Sequence, residues 1–156
     1  MSVALGFWRW GGTSPVYPAR LVFVMTRRLK QFVETYRGSS FPTRSETTEG
    51  EMCVVKMRGA GNGGGALLSE FIVNRFAARA GLPVPDASVI DIAAGFPWTF
   101  GTDEFHDLVQ KSAGENLALE WILGATAGSA ERHRDLPDEV VSQIVTLDLV
   151  FEKVDR

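Results

Sequence analysis

Glu51-Met52-Cys53-Val54-Val55-Lys56-Met57 leads through Arg58-Gly59-Ala60-Gly61-Asn62-Gly63-Gly64 into Leu67-Leu68-Ser69-Glu70-Phe71-Ile72. The first seven residues read as a strand, because a short apolar run is bounded by a polar turn, Glu46 to Gly50, and by glycines. Leu67, Leu68, Phe71, Ile72 and Phe76 then recur near helical spacing and predict one buried stripe, which Gly81 and Pro83 bring to a stop. Lys56 closes the strand, and Glu70 lies beside the helix stripe. A strand lysine can serve as a point charge for a phosphate, with a helix carboxylate to hold it in place. A surface lysine and a solvated glutamate produce the same letters, so the neighbours of the pair have to decide between the two readings.

Length and charge limit what the pair can belong to. A chain of 156 residues with 45% hydrophobic content buries one core, and two full domains are not expected. The formal charge of −3 argues against a nucleic-acid surface, and the basic cluster Arg27-Arg28-Leu29-Lys30 is too short to reverse that. Cys53 is the single cysteine, which rules out an intrachain disulfide and suits a reducing, cytoplasmic setting; its expected place is a buried strand position. No segment has the length and apolarity of a membrane span, and the first 24 residues lack the basic start and unbroken apolar core of a signal peptide. Residues 1–24 therefore read as an N-terminal extension, with Gly11 to Pro15 as loop and 21–25 as a possible strand. Met25 opens a better-patterned stretch and is an alternative start.

Residues 29–36 suggest an early strand or short helix through Phe32, Val33 and Tyr36. The turn Tyr36-Arg37-Gly38-Ser39-Ser40-Phe41-Pro42 carries small residues whose amides and hydroxyls can approach an anion, although a plain surface turn looks the same. Gly59-Ala60-Gly61-Asn62-Gly63-Gly64 matches the G-x-G-x-x-G spacing of dinucleotide-binding folds, and Val89-Ile90-Asp91 offers an acid further on. Lys56, Met57 and Arg58 intervene before the first glycine, Pro83 and Pro85 precede the second run, and the remainder reads as helices and loops. A joining loop is the better reading. Leu117 to Leu123 reads as helix with Trp121 in its core, and Asp135 and Pro137 open a last helix with a broad apolar face. If nothing follows Arg156, part of that face is exposed and self-association is expected. His106 and His133 have no partner at metal-ligand spacing, Trp98, Phe100 and Phe105 suit core packing, and Ser69 and Ser112 lack a nucleophile's partners.

A lysine at a strand end held by a helix glutamate is the ground plan of a kinase N-lobe. Gly38-Ser39-Ser40-x-Pro42, Val54-Val55-Lys56, Leu68-Ser69-Glu70-Phe71 and Gly81-Leu82-Pro83-Val84-Pro85, in this order, resemble the HipA-like kinase family. The likeness continues in the run His106 to Asn116 and in Ile144 to Val150 followed by Val154-Asp155-Arg156, so it spans roughly residues 34–156. The resemblance implies an α+β protein-kinase-like N-lobe, a small antiparallel sheet plus a helix, followed by the first helices of a C-lobe. It implies a phosphate-facing loop at Gly38, Ser39 and Ser40, a nucleotide-phosphate contact at Lys56 oriented by Glu70, and an adenine-side connection after Val89 to Ile92. Asp155 would be the catalytic-loop aspartate that orients a Ser or Thr hydroxyl, with a solvated carboxylate as its plain alternative.

Two departures qualify the implied chemistry. Lys153 stands where the family usually has asparagine, and the chain ends at Arg156 before any counterpart of the downstream asparagine and aspartate that hold magnesium. Residues 25–156 are thus expected to be a C-terminally incomplete kinase domain, with ATP and Mg as the implied cofactors but no metal ligands of its own. The implied activity is phosphorylation of a protein substrate on Ser or Thr, severely impaired in these residues alone. An antitoxin-like protein or a separate C-lobe is an implied partner; nucleic acid and membrane are not. The alternative is a catalytically inactive nucleotide-binding or interaction module.

Overall fold

The structure is a computed structural model and describes residues 26–38, 40–61, 63–97, 101–125 and 136–151. Five strands form among the described residues, β1 (Thr26–Thr35), β2 (Thr43–Thr47), β3 (Met52–Lys56), β4 (Ala87–Ile92) and β5 (Gly114–Glu120). Three helices accompany them among the described residues, α1 (Gly63–Arg79) between β3 and β4, α2 (Asp103–Lys111) between β4 and β5, and α3 (Asp138–Val150) last.

The strands close into a barrel in the order β1-β2-β3-β5-β4. This corrects the expected kinase-like lobe with its small antiparallel sheet. Four pairings are antiparallel, but the fifth, between β1 and β4, is parallel, matching Thr26–Arg28 with Val89–Asp91. The length of β1 makes closure possible. Its 10 residues pair with β2 through two register shifts, between Leu29 and Gln31 and between Phe32 and Glu34, and such irregularities bend a strand and increase its twist. The first residues of β1 then reach β4, and the sheet loses its free edges.

Alternation along the strands sorts inside from outside. Cys53 and Val55 of β3, Ile90 and Ile92 of β4, and Ala118 of β5 are fully buried, joined by Met57 just past β3. Thr43, Ser45 and Thr47 are equally buried, and their hydroxyls are satisfied by nearby backbone: Thr43 donates to Phe41 O at 2.9 Å, Ser45 donates to Thr43 O at 3.0 Å, and Thr47 accepts from Glu51 N at 3.2 Å. Burial pushes the Cys53 thiol up to about 11, so it is a neutral core group at pH 7. Phe32 joins the layers, meeting Phe96 edge-on at 5.4 Å and Phe105 at 5.3 Å.

Several expectations change. Leu117 to Glu120 are strand, not helix, because β3 and β4 flank them on both sides; Trp121 lies just beyond β5, stacked on Tyr36 at 6.1 Å with the Arg44 guanidinium 5.3 Å over its ring. The anticipated stripe of α1 is split. Leu67 and Phe71 are half-buried, Leu68, Ile72 and Phe76 are exposed, and the buried positions are Val73 and Ala77, small enough for close approach to the barrel. Gly63 and Gly64 belong to α1 and not to the joining loop. Residues 29–35 are strand throughout. Pro137 caps α3 as its position suggested, but without a side-chain hydrogen bond, and no α3 residue is buried. The possible strand at 21–25, and Trp98, Phe100, His133 and Asp135, lie outside the described residues.

Candidate functional site

Lys56 is the last residue of β3 and points to the outer face of the barrel, because its neighbour Val55 is turned inward. α1 crosses that face, and its Glu70 meets Lys56 in a direct Nζ to Oε1 ion pair, 14 residues apart in sequence. The side chains are 22% and 30% exposed, so the pair is partly desolvated and still reachable from solvent. A lysine ammonium carries three N–H donors. One is spent on Glu70, and two remain for an anion.

α1 is held over this face at both ends. Its C-terminal part is tied by Asn74, which donates to Pro85 O at 2.9 Å, and by the Arg75–Asp86 ion pair at 3.1 Å. It ends where Gly81 takes φ +83° and Leu82 N returns to Ala77 O at 3.0 Å, a left-handed turn that glycine adopts without strain. At its other end the loop out of β3 is pinned to the start of β5. Asn116 is buried and accepts from Arg58 N at 2.8 Å while donating to Ser112 O at 2.8 Å and Gly114 O at 2.7 Å. Gly59 donates to Ser112 Oγ at 3.1 Å, and a Cβ at Gly59 would lie 2.9 Å from that oxygen, so only glycine fits.

Gly38 and Ser40 lie in the turn between β1 and β2. Thr43 pairs with Val55, which brings this turn to the same end of the barrel as Lys56. Tyr36 N donates to Pro42 O at 2.8 Å and Phe41 N to Gly38 O at 3.1 Å, so the turn is closed by its own backbone. Ser39 and Asp155 fall outside the described residues, as do Lys153 and Arg156. The structure therefore brings Lys56 and Glu70 into contact and puts Gly38 and Ser40 at their end of the barrel. Val89, expected on an adenine-side path, belongs to β4, and Ile90 and Ile92 point into the barrel core. Among the described residues no group of three or more His, Cys, Asp and Glu side chains is arranged to hold a metal ion. The described residues therefore offer no donor set for magnesium.

A cleft of about 440 Å³ opens under α1 on its β4 and β5 side, lined by Leu67 and Phe71 of the helix and by Val89 and Leu117 of the strands, with Arg58 and Glu115 among its polar lining. Sequence reasoning missed both the cleft and the anchoring role of Asn116. The run His106 to Asn116 carried a signal as part of the family resemblance, but the hydrogen bond that Asn116 accepts from Arg58 N depends on β3 pairing with β5. No helix among the described residues is long and apolar enough to cross a membrane. Comparison with models of known families, with curated proteins and with solved structures yields no match to this chain.

Proposed function

We propose that this chain carries the nucleotide-binding part of an ATP-dependent Ser/Thr protein kinase of HipA-like type, with Lys56 contacting nucleotide phosphate and Glu70 orienting it. The observation that carries this reading is the Lys56–Glu70 ion pair, formed across the strand-to-helix junction and still open to solvent. Further support comes from the ordered motifs around it and from Gly38 and Ser40, which lie at the same end of the barrel. The reading rests on these residues and not on a kinase-like lobe. In it, the two remaining ammonium donors of Lys56 bind phosphate oxygen, while Glu70 keeps the side chain from searching other rotamers. Asp155 would orient the acceptor hydroxyl, and metal ligands would have to come from elsewhere.

The second reading is a nucleotide-binding or interaction module without transfer. It is favoured by the closed barrel, which is not the small open sheet of a kinase N-lobe.

Titration calorimetry of the purified chain with Mg-ATP, followed by transfer of labelled γ-phosphate to an acceptor protein, separates the two. Loss of a charge-assisted hydrogen bond costs about 1.5–3 kcal/mol, so Lys56→Ala should weaken binding roughly 10- to 100-fold, with Glu70→Gln intermediate. Transfer abolished by Asp155→Ala supports the kinase, and binding without transfer supports the module. If the unsubstituted chain does not bind Mg-ATP, both nucleotide readings fall and only an interaction module is left.

A further inference from the structure

The cleft under α1 is separate in composition from the Lys56–Glu70 pair, neither of which lines it. Its volume of about 440 Å³ falls within the roughly 300–1,000 Å³ typical of small-molecule sites. The walls supplied by Leu67, Phe71, Val89 and Leu117 are apolar. Asn116 also lines the cleft, but its amide and carbonyl are committed to Arg58 N, Ser112 O and Gly114 O, leaving little polar capacity facing the space. Such walls favour an apolar body, whose transfer from water is the main driving force, and the Phe71 ring among them favours an aromatic one.

Arg58 supplies an anchor. Its Nη2 donates to Ala113 O, and its guanidinium lies against Gly114, where a Cβ would be 3.4 Å from Nη2 and 3.5 Å from Nη1. Guanidinium carries five N–H donors, and one of them is spent on Ala113 O, which leaves four for a carboxylate or sulfonate. Gly64, in the first turn of α1, also lines the cleft, and a Cβ there would meet nothing within 4 Å, so this wall has no side chain. Glu115 brings a carboxylate into the same lining. Its charge opposes a polyanion more strongly than a monoanion.

We propose that this cleft is a binding site for a small aromatic monoanion, its rings against Leu67, Phe71, Val89 and Leu117 and its charged group on Arg58. The site is independent of the nucleotide reading. The probe is 1-anilinonaphthalene-8-sulfonate, with N-phenyl-1-naphthylamine as its uncharged counterpart, titrated into the full chain by fluorescence. Saturable binding of about one sulfonate per chain is expected. Arg58→Gln should weaken the sulfonate about tenfold while leaving the uncharged probe unchanged, and Glu115→Gln should strengthen the sulfonate. Leu117→Trp, which fills the cleft, should weaken both probes at least about tenfold. Because Leu117 is buried and a larger side chain there strains the core, Gly64→Leu provides a second block at an uncrowded position, with circular dichroism confirming the fold. Leu149→Ser, on the exposed face of α3, should change nothing. The proposal is overturned if binding is not saturable, if Gly64→Leu and Leu117→Trp leave it intact in folded protein, or if Leu149→Ser removes it.

Discussion

β2 and α3 invert the usual relation between residue type and position. β2 reads Thr-Arg-Ser-Glu-Thr, without one apolar residue, yet Thr43, Ser45 and Thr47 are completely buried. α3 reads Asp-Glu-Val-Val-Ser-Gln-Ile-Val-Thr-Leu-Asp-Leu-Val, yet none of its residues is buried, and Leu149 remains 76% exposed. Burial follows from what surrounds an element. β2 sits between β1 and β3 in a closed barrel, so every second side chain points inward, and its hydroxyls are tolerated because backbone groups satisfy them. α3 touches the rest through contacts such as Phe151 against Phe76 at 5.3 Å, and its remaining apolar surface faces solvent.

The sharpest test of this contrast is a core truncation. Ile90→Ala removes a fully buried side chain from the barrel and should destabilise the protein by about 2–5 kcal/mol in urea unfolding. A loss below about 1 kcal/mol would mean that the barrel is not the stability centre. Ser45→Ala removes the donor to Thr43 O and should cost about 1 kcal/mol, whereas no loss would show that the buried hydroxyl is merely tolerated. Leu149→Ser should stay within about 0.5 kcal/mol, since that side chain is already in water; a core-sized loss would break the comparison by showing that α3 is covered in solution.

The smallest effect is expected with acid. The hydrogen bond from Lys30, followed by that from Gln31, holds the Glu46 carboxyl below its ordinary value of 4.5 despite the opposing effect of burial. A depressed carboxyl stabilises the fold above its unfolded value, and this contribution is lost as pH falls through the folded one. Glu46→Gln should therefore flatten the decline in urea midpoint below about pH 4.5, with the carboxyl titration followed by NMR.

Single elements, though not the architecture, were local enough to read from the chain. The run Met52–Lys56 and the helix that ends before Gly81 follow from apolar spacing and stop signals, and α3 begins just after Pro137. Lys56 and Glu70 were likewise legible as a pair, because one helix following directly on one strand limits where they can lie. β5 was not legible: Leu117-Ala118-Leu119 has equally good helical letters, and only its place between β3 and β4 makes it a strand. The cleft was hidden for the same reason, since Leu67, Val89 and Leu117 meet only after three separate elements pack.

By itself the sequence determined a single core, a neutral buried cysteine position, and a strand-end lysine with a helix glutamate within reach. Tertiary structure decided that the sheet closes, through a parallel pairing of Thr26–Arg28 with Val89–Asp91 across more than sixty residues of chain. Propensity and periodicity act over one or two turns of chain, whereas closure depends on strand register and twist summed around the whole sheet. That sum also set which polar residues are buried and which leucines face water.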